Sequence, residues 1–486
     1  MNLTAYDQVR YPSRALWVTH PYSLGAMARL FGLPAAPAAR CRVLDIGCGE
    51  GGNLIPMAAA LPESHFVGID LSAEAIATGA ECVRTLQLPN IELRQMNIMD
   101  AGSALGDFDF VIAHGVYTWV PSAVQQRLLQ LCSELLAPHG VAYLSYNVYP
   151  GGYVREAVRD LLLLHTDPDG DPYARVSQAR ELLAALAEDR RKPDPWHSML
   201  RQEVEDLEKC SPEQIFHDEL APQYHQVYFK DFVARARETG LDYLCESELA
   251  DMTPFGFGER ATRFLDQLAS QDRVLWEQYL DFFRFRKFRR TLLCRTDAPH
   301  AGSPDPNVLR QLHLSSGARP SGAGASGGER WKNSDKAVIE VVDPACSSML
   351  RRLSDAWPQA IPGSELLRDA PGKEQDLLDL CTIKFVQVHN GAPGAIRPIA
   401  DKLQFPRLVR LQAATGKITN LYHYPIDIQG DLAISLLQLG DGTRDRKTLI
   451  RELVKKHPEH SYSEIAGGID QQIEHLTNLA LTSSDS

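Results

Sequence analysis

Arg42-Val43-Leu44-Asp45-Ile46-Gly47-Cys48-Gly49-Glu50-Gly51-Gly52 is the stretch on which the fold turns. Its first five residues form a short apolar run carrying one acid, the pattern of a strand in a parallel sheet. The glycines that follow read as a tight turn, and a helix begins near Asn53, with Pro56 tolerated in its first turn. Glycines directly after a strand let a ligand approach the backbone closely, and the helix start offers free N–H groups.

Outward from this turn the alternation of strand and helix repeats. Phe66 to Asp70, Ile91 to Gln95, Phe108 to Ala113 and Val141 to Ser145 read as further strands. Ser72 caps the helix after the second strand, and a helix over 122–136 stops at Pro138-His139-Gly140. That order predicts a parallel sheet with crossover helices. From 153 to about 220 the pattern is helical, broken at 166–170 and 192–195; strands at Leu241 to Cys245 and Thr291 to Cys294 then complete the same sheet. The expected fold is α/β, a doubly wound, mostly parallel seven-stranded sheet, Rossmann-like, with a helical insertion.

Gly317 to Gly328, rich in glycine, serine and alanine, reads as a flexible linker or surface loop. The C-terminal region after it begins with three helices, followed by strands at Ile383 to Val388 and Ala395 to Pro398, an α+β order similar to a winged helix. Its third helix, around Lys373 to Asp379, carries three acids and one lysine, the wrong charge for a nucleic-acid recognition helix. A scaffold, a homodimer contact or a polypeptide platform is the expectation there. The run Arg284-Phe285-Arg286-Lys287-Phe288-Arg289-Arg290 reads as the solvated basic face of an amphipathic helix.

Composition narrows the function classes. A net charge of −12 argues against a large phosphate-binding surface, and no nucleic-acid partner is expected. No apolar run is long enough for a membrane span, and the N-terminus lacks a signal-peptide pattern, so the expected location is the cytoplasm. Nine scattered cysteines without a C-x-x-C pair fit a reducing compartment and give no metal site.

Gly47, Gly49 and Gly52 satisfy G-x-G-x-x-G, a weak pattern that also admits dinucleotides. The carboxylates decide between ligands. Asp45 and Glu50 would repel a pyrophosphate but suit a ligand bearing an ammonium and a sulfonium, as S-adenosylmethionine does. Opposite charges about 4 Å apart attract by about 4 kcal/mol at an effective dielectric near 20, and like charges repel equally. Asp70, 21 positions after Gly49 at a strand end, is placed to accept ribose hydroxyls, with Leu71 beside it. Asn97 is placed for the adenine amine, with Ile98 and Met99 against the ring. The expected donor-binding set is Asp45, Gly47, Gly49, Asn53, Asp70, Leu71, Asn97, Ile98 and His114.

These blocks resemble the signatures of class I S-adenosylmethionine-dependent methyltransferases. More specifically, the chain resembles bacterial protein-lysine methyltransferases that carry a methyltransferase regulatory domain. The likeness extends from Tyr6-Asp7, Tyr11-Pro12 and Thr19-His20-Pro21 through Gly51 to Met57, Ala113 to Pro121 and Ser145 to Gly151. It continues at Tyr279 to Phe282, Phe288 to Arg295 and Gly440 to Arg446. Two positions depart from the family pattern: Asn97 replaces an aspartate, and Gly152 a tryptophan. The resemblance implies a methyltransferase core over 1–152, an insertion over 153–230, a regulatory segment over 231–297, a linker over 298–335 and a C-terminal domain over 336–486.

The methyl should emerge beyond the carboxyl ends of the fourth and fifth strands. Tyr117, Trp119, Tyr146 and Tyr149 are expected as walls of a lysine channel, Asn147 as the group that orients the nitrogen, and His20 or His114 as proton acceptors. The segment holding Tyr6, Tyr11, Thr19 and His20 is expected to fold over the donor as a lid. The resemblance implies methylation of lysine on a protein or peptide. A small-molecule or natural-product methyltransferase and a non-catalytic cofactor-binding regulator remain as alternatives.

Overall fold

The computed structural model describes residues 5–188, 194–269, 272–393 and 402–481. Seven strands form the central sheet: β1 Arg42–Ile46, β2 His65–Asp70, β3 Ile91–Gln95, β4 Phe108–Ala113, β5 Leu136–Asn147, β6 Leu241–Glu246 and β7 Phe288–Arg295. Their spatial order is β3-β2-β1-β4-β5-β7-β6. All neighbours from β3 to β5 run parallel, and β7 alone lies antiparallel between β5 and β6. The order reverses between β1 and β4, which opens a crevice at the carboxyl ends of those strands.

Two apolar layers explain why the sheet holds. One face packs the helices Pro21–Leu30 and Leu54–Ala60 through Leu24, Leu30, Leu54 and Met57. The other packs Ser122–Leu135 and Phe229–Glu238 through Leu128, Leu131, Phe232 and Val233. The Pro138-His139-Gly140 stop does not lie outside β5, as expected, but within it. There the pairing jumps from Phe108↔Leu136 to Phe110↔Val141, so the turn signal has become an irregularity inside a long strand.

The insertion comprises Gly152–His165, Pro172–Ala187 and Pro195–Glu208, then a π turn at Ile215–Glu219. It has its own apolar cluster, to which the N-terminal segment contributes Val9.

Three expectations are corrected by the structure. First, the glycine-rich stretch is ordered. β8 His313–Ser315 is followed by β9 Arg319–Ala323, β10 Glu329–Lys332 and β11 Val338–Val341, the last three forming an antiparallel sheet. Glu340 accepts hydrogen bonds from the backbone N–H groups of Ala325, Ser326 and Gly328, and Trp331 is fully buried. A carboxylate closes the loop and an indole anchors it, features that composition does not reveal.

Second, the basic run is not a solvated helical face. The helix Arg273–Arg284 ends at Phe285, which is in the left-handed region, and β7 starts at Phe288. Arg289 is wholly buried; its guanidinium binds Glu246 at 2.6 Å, Asp281 at 2.9 Å and Glu277 at 3.0 Å. Arg284 and Arg286 donate to backbone carbonyls of residues 250–253.

Third, the region expected as one C-terminal domain holds two cores. β12 Ile361–Pro362 and β13 Gln387–His389 flank β8, and with the helices Pro344–Ala356 and Glu374–Thr382 they share one apolar cluster with the central sheet. The expected strand at 383–388 is present only as β13, because Lys384 sits in a left-handed turn; that expected at 395–398 lies outside the described residues. A separate cluster spans Leu403 to Leu481 and includes the hairpin of β14 Lys417–Thr419 and β15 Pro425–Asp427. No helix among the described residues is long and apolar enough to cross a membrane.

Candidate active site

The glycine turn after β1 is a backbone cradle. Gly47, Gly49 and Gly51 all have positive φ, so side chains there would be strained. Gly52 is needed for another reason: a Cβ there would lie 2.7 Å from the backbone carbon of Ser13. Ser13 Oγ accepts the Gly52 N–H at 2.9 Å, so the N-terminal segment lies across the turn.

Asp45, the penultimate residue of β1, is 4% exposed. Burial pushes its carboxyl up to about 7, partly offset by the hydrogen bond from Asn53 Nδ2 at 3.4 Å. Asn53 is itself buried, and its Oδ1 accepts from Leu16 N, Thr19 Oγ1 and His423 Nε2. It therefore supports Asp45 from behind and is not itself an open ligand contact. Glu50 forms an ion pair with Arg10, so its charge is already answered within the protein.

Asp70 ends β2. Its two oxygens accept from Gly49 N and Ser72 N, each at 2.8 Å, which fixes the carboxylate plane and leaves each oxygen a further lone pair. Asn97 Oδ1 accepts from Met99 N at 3.0 Å and keeps a second lone pair in the same way. Between these groups stand apolar side chains without cover: Leu71 is 53% exposed and Met99 48%, while Ile98 is partly buried. A polar strand end, an amide and two bare apolar walls fit a nucleoside.

Beyond β4, His114 Nδ1 lies 3.0 Å from both Tyr143 Oη and Ser145 Oγ. Burial, with Arg290 nearby, lowers its pKa to about 4, so the ring is neutral at pH 7 and a weak base. A Cβ on the neighbouring Gly115 would meet nothing within 4 Å, which marks open space at the strand end.

The structure divides the expected acceptor residues. Tyr117 and Tyr146 are fully buried against Phe232, on the sheet face opposite the site. Alternation along β5 puts Tyr143, Ser145 and Asn147 on one face and Tyr146 on the other. His20 caps the helix Pro21–Leu30, its Nδ1 accepting from Tyr22 N, and packs against His423. None of these three is placed to act on an acceptor. Trp119 carries the guanidiniums of Arg155 and Arg159 over its ring, so it is a packing surface.

Asn147 and Tyr149 remain at the end of β5. Asn147 Nδ2 donates to Tyr224 Oη at 3.2 Å. The Tyr149 ring packs at a tilt against Tyr153 and Tyr228, Tyr228 stacks on Phe282, and Tyr149 Oη donates to Glu156 at 3.1 Å. Ser13, Glu156, Tyr153, Tyr228 and His423 were missed because nothing local in the sequence marks them. Gln226 fills the space a side chain at Gly152 would take.

The expected lid is a strap. Tyr6 stacks on His217, Tyr11 Oη donates to Asp218, and His217 binds the Val9 carbonyl, which ties residues 6–11 to the insertion. Ser72 Oγ donates to Asp7, which brings the strap to the end of β2.

Comparison with known proteins agrees with this architecture. Residues 43–140 match the family model "Methyltransferase domain", 211–295 "Predicted methyltransferase regulatory domain", and 401–481 "PKMT, C-terminal winged helix domain". The winged helix thus falls on the second C-terminal core and not on residues 336–398, where the helix and strand order had suggested it. An uncharacterized protein of Rickettsia prowazekii (strain Madrid E) is 29% identical over 92% of this chain and 85% of its own length. A second from the same organism is 31% identical over 49% of this chain and 95% of its own length. The structure of PKMT2 from Rickettsia typhi superposes with a TM-score of 0.86 at 24% identity, covering 97% of this chain and all of that one; it has also been solved in complex with AdoHcy. This chain belongs to the class I methyltransferases that carry a methyltransferase regulatory domain and a PKMT-type C-terminal winged helix domain.

Proposed function

We propose that this methyltransferase moves a methyl group from S-adenosylmethionine to the side-chain nitrogen of lysine in a polypeptide, acting in the cytoplasm. The observation that carries the acceptor class is the group Tyr149, Tyr153, Tyr228 and Phe282 with Glu156 at the carboxyl end of β5. π faces backed by a carboxylate suit an alkylammonium on a long stem.

The donor, when bound, supplies a methyl carbon already activated by sulfonium charge, so no metal is required of the protein. Asp45 answers the donor's ammonium, Asp70 takes the ribose hydroxyls, and Asn97 Oδ1 takes the adenine amine. The strap of residues 6–13 excludes water over the glycine turn. On the acceptor side the rings strip water from the incoming nitrogen, which lowers its pKa and favours the free amine. Glu156 draws the cation to the mouth, and Asn147 is at hand to orient it. Alignment of the two partners supplies much of the rate, about 7–11 kcal/mol in well-ordered cases.

Two further features favour a polypeptide over a nucleic acid. The chain is acidic overall, and within the aromatic-basic run the guanidiniums of Arg289 and Arg290 are held by carboxylates and those of Arg284 and Arg286 by backbone carbonyls. The test is incubation of the protein and tritiated donor with a bacterial lysate, then acid hydrolysis. Label in methylated lysine is expected. Label confined to small molecules would replace this reading with the natural-product alternative, and binding without transfer would leave a cofactor-binding regulator.

A further inference from the structure

The hairpin of β14 and β15 ends in Asn420-Leu421-Tyr422-His423-Tyr424, and its tip is buried behind the glycine turn. His423 is 2% exposed, and its Nε2 lies 2.9 Å from Asn53 Oδ1, across 370 positions of sequence. Leu16 N, which can only donate, also binds that oxygen at 3.0 Å. The orientation of the Asn53 amide is therefore fixed: Oδ1 faces the donors and Nδ2 faces Asp45 Oδ2 at 3.4 Å. The His423 contact must then be Nε2–H donating. Burial lowers the pKa of His423 to about 3, so the ring keeps a single proton, and this contact places it on Nε2.

The tip is built to aim this imidazole. His423 has φ +62°, a left-handed conformation that is uncommon without glycine. Asn420 holds it there: Asn420 O accepts from His423 N, and Asn420 Oδ1 accepts from Tyr422 N and Tyr424 N. The flanking rings are pinned on both sides. Tyr422 stacks on Trp357 and donates to the Pro358 carbonyl, while Tyr424 stacks on Trp17 and accepts from Gln387. A strained residue clamped by its neighbours and directed at one polar atom points to function.

We propose that His423 of the C-terminal module is a positioning residue for methyl-donor binding, acting through the chain His423 Nε2–H to Asn53 Oδ1, and Asn53 Nδ2–H to Asp45. This rests on the donor reading of Asp45 given above. The winged-helix module then completes the donor site from behind and does not stand apart from it. Without the imidazole N–H, Asn53 Oδ1 loses one of its three donors, the amide turns more freely, and Asp45 loses part of what offsets its burial. The neutral acid gains, and the donor ammonium meets a weaker partner.

The experiment compares wild type, His423→Phe and His423→Gln, full length, by calorimetric titration of S-adenosylhomocysteine from pH 6 to 8. Phe keeps the ring without a donor; Gln restores an N–H. The expected result is a roughly tenfold weaker affinity in His423→Phe. The pH of half-maximal affinity should move upward, and Gln should recover most of the loss. Equal affinity and equal pH midpoint in a folded His423→Phe would overturn the proposal. Absence of binding by wild type would instead overturn the donor reading itself. Should the Phe variant not fold, wild type labelled at histidine decides: the His423 N–H resonance is expected to shift on saturation, and an unmoved resonance would refute the link.

Discussion

Asp45 lies at the crevice with a carboxyl raised to about 7 by burial, against an ordinary value of 3.8. The sign follows from that direction. Between these values the unfolded chain ionises and the folded chain does not, so burial of this group costs stability as pH rises toward 7 and adds no further cost above it. A bound ammonium favours the ionised form and reverses part of that cost. Donor affinity should therefore rise with pH through about 6 to 8 and level off above. Below pH 7 binding should release up to one proton, seen as dependence of the binding heat on buffer ionisation enthalpy. Asp45→Asn should bind more weakly by about tenfold or more at pH 8 and lose most of the slope. A pH-independent affinity in wild type would show that Asp45 does not meet the cation.

Among elements, β7 and the helix before it depend on the Arg289 cluster. One buried guanidinium faces Glu246, Glu277 and Asp281, lies over the Phe229 ring at 3.8 Å, and ties β6, β7 and the helix Arg273–Arg284 together. Removing one partner of a buried ionic group leaves the others uncompensated, at a cost of about 3–5 kcal/mol. Burial already raises Glu277 and Asp281, opposed by Arg289. Without that opposition they rise further, so protonation relieves the defect. Arg289→Met should therefore destabilise by about 3–5 kcal/mol at pH 8 and by less at pH 5, measured by urea unfolding. A uniform loss at both pH values would contradict the account. The sequence could not show this cluster. Arg284 to Arg290 has helical spacing and four cations besides Lys287, and only the partners on β6 and the preceding helix turn Arg289 inward.

For the whole molecule, legibility in the sequence followed locality. The seven strands and their crossovers were readable because each carries its own apolar period and turn, and Asp45 and Asp70 because strand ends are local features. Tyr146 failed by one residue of alternation: its neighbour Asn147 shares the site face, and period 2 sends Tyr146 into the opposite core. Gly317 to Gly328 failed because Glu340 and Trp331 order it from outside. His423 failed because nothing near it names Asn53, 370 positions away. The proposed donor site lies at the carboxyl ends of β1, β2 and β4, with the strap tied across the glycine turn and the C-terminal hairpin behind Asn53.

The donor site is the claim on which the rest stands, and Asp70 probes it directly, since its carboxylate is held by the backbone N–H groups of Gly49 and Ser72 and keeps lone pairs for a ligand. Calorimetry of the full chain with S-adenosylhomocysteine should show saturable binding that Asp70→Ala weakens by about tenfold or more, with no heat from NADH. Saturable binding of NADH by wild type, or an Asp70→Ala variant that binds S-adenosylhomocysteine unchanged, would contradict it.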